Sequence, residues 1–192
     1  MKGGASNPMG MLTGLSAGKS QGRQGLAGGP GRPPVVLENL SMRIARDGTW
    51  HYQNSPINRL PLVKLFASVL RRENDEFWLV TPAERGRVTV EDAPFTAVEV
   101  RAEGTGHDQR LIFRTNLDEE VMADEAHPIR LGEGQGADEG PAPYIEVRDR
   151  LEARILRPVF YHLVELGEEQ GDQFGVWSSG RFFPLGRLDP AR

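Results

Sequence analysis

The side chains best able to do chemistry in this 192-residue chain are arginines and hydroxyl groups placed beside element ends. Arg114-Thr115-Asn116 closes a strand-like run and offers donors to an anion. Arg59 and Arg157 each precede a helical stretch. Arginine at a helix start is poorly placed for the helix dipole, so a ligand or a carboxylate is its natural partner. Bidentate guanidinium donation suits phosphate. Thr81, Thr115 and Ser178 add hydroxyl contacts, and Tyr144, Trp177 or Trp78 could stack on a base. Glu84 completes the expected ligand-binding set. It also belongs to the one carboxylate group of interest, Glu84 with Glu91 and Asp92. Glu84 sits in a hairpin turn and the other two at the hairpin's far end. About five strand residues span roughly 17 Å, too far for a shared acid–base pair.

Other chemistry finds less support. Cysteine is absent, which removes thiol nucleophiles, disulfides and thiolate zinc sites. His51, His107, His127 and His162 are scattered without metal-ligand spacing, so no metal and no cofactor is expected. No serine lies in a nucleophile elbow. The run Gly14 to Ser20, ending Gly18-Lys19-Ser20, looks like a phosphate-binding loop. It has Thr13 where that motif needs glycine, and no strand precedes it.

The elements that must position these groups follow from periodicity. Residues 1–34 hold ten glycines and almost no β-branched or aromatic residues, so a disordered basic tail is expected there. Met42 to Arg46 alternates, Asp47-Gly48 turns, and Thr49 to Gln53 returns as a hairpin. A helix is predicted next, with Asn58 as N-cap and Pro61 in the first turn. Leu62, Leu65, Phe66, Val69 and Leu70 would form its apolar stripe, with Arg71 and Arg72 at its negative end. Strands are predicted at Glu76–Thr81, Arg87–Glu91, Ala97–Ala102 and Arg110–Thr115, with shorter ones near Val121 and Ile129. Gly132 to Pro143 reads as an acidic glycine-rich loop and Tyr144–Arg148 as a strand. Pro158 opens a second helix burying Phe160, Leu163 and Val164, with Gly167 as its stop. Phe174–Ser178 and Arg181–Leu185 close as a hairpin.

Charge restricts the partners. The net charge is −4. Lys2, Lys19, Arg23 and Arg32 precede the first acid, Glu38, so the rest of the chain sets 19 basic against 27 acidic residues. Such a body repels phosphate backbones and disfavours general nucleic-acid binding. No run of ~18 apolar residues spans a membrane, and no secretory h-region is visible. A cytoplasmic location is the expectation.

The chain also looks duplicated. Ile57-Asn58-Arg59 followed by Leu62 and Leu65 aligns with Ile155-Leu156-Arg157 followed by Phe160 and Leu163. Asp75-Glu76-Phe77 matches Asp172-Gln173-Phe174, and Gly86-Arg87 matches Gly180-Arg181. A repeated sheet-plus-helix unit leaves a seam where ligands are favoured. The expected fold is α+β, two related antiparallel sheet-plus-helix halves. They comprise residues 35–94 and 95–192, after the 1–34 tail.

Ordered blocks carry a family resemblance. They are Asp47-Gly48-Thr49-Trp50, Pro56-Ile57-Asn58-Arg59, Leu62 to Phe66, Leu79 to Glu84 and Val90 to Phe95. Phe113 to Asn116, Leu151 to Arg154 and Val176 to Gly186 continue the series. From about residue 38 to the C-terminus the chain resembles the bacterial domain-of-unknown-function family 1285. That resemblance implies a duplicated core whose C-terminal half is similar to a pleckstrin-homology-type barrel. It also implies a site at the domain interface for a nucleotide-like ligand, and a role in signal transduction. The expected function is therefore a non-enzymatic small-ligand-binding module taking a small anionic or nucleotide-like ligand. A carboxylate-based hydrolase and a protein-interaction adaptor with a protein partner are the alternatives.

Overall fold

A computed structural model describes residues 34–132 and 141–188. The expected tail and its loop-like Gly14–Ser20 run fall outside the described residues, as does the centre of the acidic loop, 133–140. The chain divides into two compact units. One holds the residues up to Ile44 together with Trp50–Thr89, the other Ala45–Thr49 together with Val90 onward. Both are sheet-dominated, and the described residues contain two α-helices.

The first unit begins with β1 (Val35–Ile44), β2 (Trp50–Tyr52) and β3 (Ser55–Pro56). Helix α1 (Leu60–Ser68) follows, then β4 (Leu70–Glu73), β5 (Glu76–Val80) and β6 (Glu84–Val90). One sheet runs β3-β2-β1-β6-β5-β4. The Asp47-Gly48 turn is where the sequence puts it: Gly48 N–H donates to Ala45 O, and Asp47 Oδ1 accepts from Thr49 N–H at 2.9 Å. The helix differs in detail. Its N-cap is Arg59 rather than Asn58, and its buried face is Val63, Phe66 and Ala67. Leu62 and Leu65 are only half-buried, and Leu70 leaves the helix to start β4, fully buried. Phe66 and Leu70 of the expected stripe are buried, while Val63 and Ala67 take the buried places expected of Leu62 and Leu65. Trp50 lies stacked on Phe66 at the centre of this core, ring centroids 6.4 Å apart. Arg71 donates to the Ser68 and Leu70 carbonyls, as a cation at a helix C-terminus should.

The second unit contains β7 (Phe95–Glu103), a 3₁₀ turn (Gly106–Asp108), β8 (Arg110–Thr115), β9 (Glu120–Met122) and β10 (Ile129–Gly132). It continues with β11 (Ala142–Arg148), β12 (Leu151–Ile155) and α2 (Arg157–Glu165). It ends with β13 (Glu168–Gln170), β14 (Gln173–Ser178) and β15 (Arg181–Arg187). A six-stranded sheet runs β10-β11-β12-β7-β8-β9 and a three-stranded one β13-β14-β15. The β12–β7 pair is parallel. Strands β4, β12 and β13 escape the sequence reading. The β11–β12 turn shows why: Asp149 and Arg150 both take positive φ, 47° and 63°, with no glycine or asparagine to mark the hairpin.

Each helix leads into a three-stranded antiparallel meander, α1 into β4-β5-β6 and α2 into β13-β14-β15. Glu73 pairs with Glu76 as Gln170 does with Gln173. Leu79 pairs with Gly86 as Val176 does with Phe183, and Val80 with Arg85 as Trp177 does with Phe182. Pro61 and Pro158 both stand in the first helical turn. In this common register Arg59 corresponds to Leu156 and Arg157 to Leu60. The expected Arg59–Arg157 and Gly86–Gly180 correspondences are therefore out of step.

Candidate functional site

Strand β12 alternates: Leu151, Ala153 and Ile155 are buried, and Glu152 and Arg154 are half-buried on the other face. One residue later α2 begins. Val159 and Leu163 turn into the core, so Phe160 and Tyr161 turn away from it. Arg157 precedes Phe160 and Tyr161 by three and four residues, which puts all three on one helix flank. A groove of about 540 Å³ opens here. Its walls are Arg154, Ile155, Leu156, Arg157, Phe160 and Tyr161, with Arg46 and the Pro141–Pro143 start of β11. Every lining residue belongs to the second unit. The sequence reading buries Phe160 and Val164. Instead Phe160 is half-buried in the groove wall and Val164 is 40% exposed. No acidic residue occupies the first turn of α2 and no side chain caps it. The positive end of the helix thus adds to three guanidinium groups.

Behind Arg154 lies a polar row set by strand register. Arg130 of β10 pairs with Tyr144 of β11, Tyr144 with Arg154 of β12, and Arg154 with Thr96 of β7. Directly paired residues share a sheet face, so the four form a file. Tyr144 Oη donates to Asp92 Oδ1 at 2.7 Å, and Arg154 donates to Asp92 Oδ2 at 2.7 Å. The Asp92 side chain is 2% exposed. A carboxylate buried this deeply requires such partners. Arg130 lies over the Tyr144 ring, 4.7 Å from its centroid, and grips Glu152 with two donors. Burial, followed by the bond to Asp92, pushes the Tyr144 phenol well above its ordinary range. The Glu152 bond raises the Arg130 guanidinium further.

Arg46 is held by the Ala45–Thr49 loop. Its backbone N–H donates to Glu91 Oε2 at 3.1 Å. Asn116 fastens the loop: its Nδ2 donates to Gly48 O at 3.2 Å while its Oδ1 accepts from Thr96 N–H at 3.1 Å. Gly48 has φ of +84°, and a Cβ there would stand 2.7 Å from Asn116 Nδ2. Only glycine fits both requirements.

The ten residues expected to bind ligand therefore separate. Arg157 lines the groove, and Tyr144 reaches it through Asp92 and Arg154. Asn116 braces the loop that carries Arg46. Thr81 is buried and closes a turn, bonded to both backbone groups of Glu84 at 3.0 Å. Arg59 is an exposed N-cap in the first unit. Arg114 pairs with Glu99 at 2.7 Å and with Asp118. Thr115 is buried and accepts from the Leu117 and Glu119 amides. Ser178 bridges Leu111 N–H and Ala123 O inside the core. Trp177 donates to Glu168 and lies tilted against the His107 ring, centroids 4.2 Å apart. The sequence reading passed over Arg46, Arg154 and Tyr161. The signal for Arg154 was the in–out alternation of Leu-Glu-Ala-Arg-Ile, and for Arg46 its place beside the Asp47-Gly48 turn.

Among the described residues no group of three or more histidine, aspartate or glutamate side chains is arranged to hold a metal ion. No helix there is long and apolar enough to cross a membrane.

The family model described as "Domain of unknown function (DUF1285), N-terminal domain" matches residues 32–93. That described as "Protein of unknown function (DUF1285), C-terminal domain" matches residues 94–185. No curated protein matches. A crystal structure of a DUF1285 family protein from Silicibacter pomeroyi DSS-3 is 44% identical. It covers 96% of this chain and 97% of its own, with a TM-score of 0.79. A second, from Shewanella baltica OS155, is 26% identical over 65% of this chain and 91% of its own, with a TM-score of 0.50.

Proposed function

We propose a ligand-sensing role on one premise: the chain belongs to the DUF1285 family, whose N- and C-terminal domains it carries in order. The second unit binds a small anionic, nucleotide-like ligand without turning it over, and so serves signal transduction. One observation carries the reading. Three arginines and two aromatic rings converge on a single groove of about 540 Å³. That size falls within the range of small-molecule sites, and the side chains supply both what a phosphate needs and what a ring needs. Asp92, with both oxygens engaged, orients Arg154 and takes no part in hydrolysis.

Two finer statements about the fold belong to the same proposal. The units descend from one duplicated ancestor, supported by the shared helix–meander order and matching strand registers. The second unit is akin to a pleckstrin-homology barrel, supported by a six-stranded sheet whose β12 leads into a helix.

The test is calorimetry and thermal unfolding with adenosine monophosphate, guanosine monophosphate and inorganic phosphate. At a hundred times its Kd, a ligand stabilises the native state by about 2.7 kcal/mol, which raises Tm by about 5–10 °C for a chain of this size. If none of the three gives a shift or a binding heat, the reading fails.

A further inference from the structure

Asp92 and Tyr144 stand behind the groove and line none of it. The Asp92 side chain is 2% exposed, against 18% for the Arg154 side chain that it holds. The groove therefore meets Arg154, and Asp92 is screened from it. By Coulomb's law alone, a carboxylate so placed repels an anion in the groove. Its hydrogen bonds give it a second effect. Oδ2 accepts from Arg154 and Oδ1 from the Tyr144 phenol, each at 2.7 Å. Both oxygens belong to one flat group, so the phenol sets the plane in which Oδ2 meets the guanidinium. The phenol is itself held in place. Tyr144 lies directly opposite Arg154 in the β11–β12 pair and is buried. Arg130 covers its ring, and Glu152 grips Arg130 in turn. Gly132 closes the ring's flank, where a Cβ would stand 2.9 Å from Tyr144 Cε2.

We infer that Tyr144 is a positioning residue for the anion: through Asp92 it fixes the Arg154 guanidinium at the groove, and so sets how tightly a phosphate is held without touching it. This rests on the proposed binding of an anion and names a residue that governs its strength. A donor already fixed in its bound orientation binds more tightly than a mobile one, because less freedom is lost on binding. Without the phenol, Asp92 Oδ1 turns towards another donor, and the guanidinium on Oδ2 turns with it. The phosphate end of a nucleotide feels that change. Its ring end, against Phe160 and Tyr161 on α2, does not.

The experiment is calorimetry on the whole chain with inorganic phosphate, adenosine monophosphate and adenosine. Tyr144→Phe should weaken phosphate and the nucleotide by a common factor of about ten, and leave adenosine unchanged. A merely structural role would weaken all three or none. Asp92→Asn gives a second reading, with a sign opposite to that of simple electrostatics. It removes a negative charge from behind the groove, yet should weaken phosphate by about tenfold, because an amide holds the guanidinium less firmly than a carboxylate does. Should Tyr144→Phe fail to fold, Asp92→Asn decides by its sign. Unchanged phosphate affinity in folded Tyr144→Phe, an equal loss for adenosine, or tighter phosphate binding by Asp92→Asn overturns the inference and leaves the ligand reading standing. Absence of phosphate and nucleotide binding to the wild type overturns both.

Discussion

On α1 the positions Leu60, Val63 and Lys64 carry an exposed leucine, a buried valine and an exposed lysine. The matching positions on α2 are Arg157, Phe160 and Tyr161, and these line the groove. The meanders that follow share strand order and register. The units differ in what their helices bury. Helix α1 sinks Val63, Phe66 and Ala67 into a core centred on Trp50. Helix α2 sinks only Val159 and Leu163, leaving its next flank to a concave, cationic surface. One backbone plan thus supports a helix sunk in a core or a helix that lines a groove, and a few side chains on one flank decide which.

The comparison breaks most readily at its two phenylalanines. Phe66 is 2% exposed and stacks on Trp50. Truncation leaves a cavity, so Phe66→Ala should lower unfolding free energy by about 3–5 kcal/mol. Phe160 already faces the groove, so Phe160→Ala should cost less than about 1 kcal/mol while weakening ligand binding. Urea titration of both variants checks this. Equal losses would show that Phe160 is a core residue and that α2 is a second packing helix.

The second unit also keeps polar groups inside, where the first stacks aromatic rings. Tyr144→Phe keeps the ring beneath Arg130 but leaves Asp92 Oδ1 without its phenol donor, and should cost about 2 kcal/mol at neutral pH. The sign with pH follows from the raised phenol. Its contribution is complete below the ordinary tyrosine value of about 10 and is lost as pH climbs through the folded value. Tyrosinate absorbance should therefore contain a late-ionising component that Tyr144→Phe removes. A titration curve unchanged in shape would mean that Tyr144 is wet and the file behind the groove is open.

The strands with alternating residues and glycine-marked turns were legible in the sequence, including the β1–β2 hairpin at Asp47-Gly48 and the β14–β15 hairpin. Strands β4 and β12 were not. Leu70-Arg-Arg-Glu follows the helix with no breaker, and the β11–β12 turn is built from Asp149 and Arg150, which carry no turn signature. The site was legible in type rather than in place. Arginine and aromatic chemistry was anticipated, but Thr81, Thr115 and Ser178 spend their hydroxyls on backbone groups. Arg154 reaches the groove through parallel pairing of β12 with β7, a long-range contact with no local signature.

The finest test of the comparison exchanges charge at neighbouring positions on the two helices. Arg157→Glu puts a carboxylate where the groove would hold an anion. It should weaken nucleotide monophosphate binding at least tenfold, about 1.4 kcal/mol, and leave stability within about 0.5 kcal/mol because the side chain is exposed. Lys64→Glu makes a comparable reversal on α1, at the position matching Tyr161, and should leave affinity unchanged. The Arg157 effect should shrink as salt rises, since an exposed guanidinium acts through a screened field. Isothermal titration at two ionic strengths measures the affinities and their salt dependence, and urea titration measures the stability. If Lys64→Glu weakens binding as much as Arg157→Glu, the attraction comes from the net charge of the molecule, and the α2 flank loses its claim to be the binding surface.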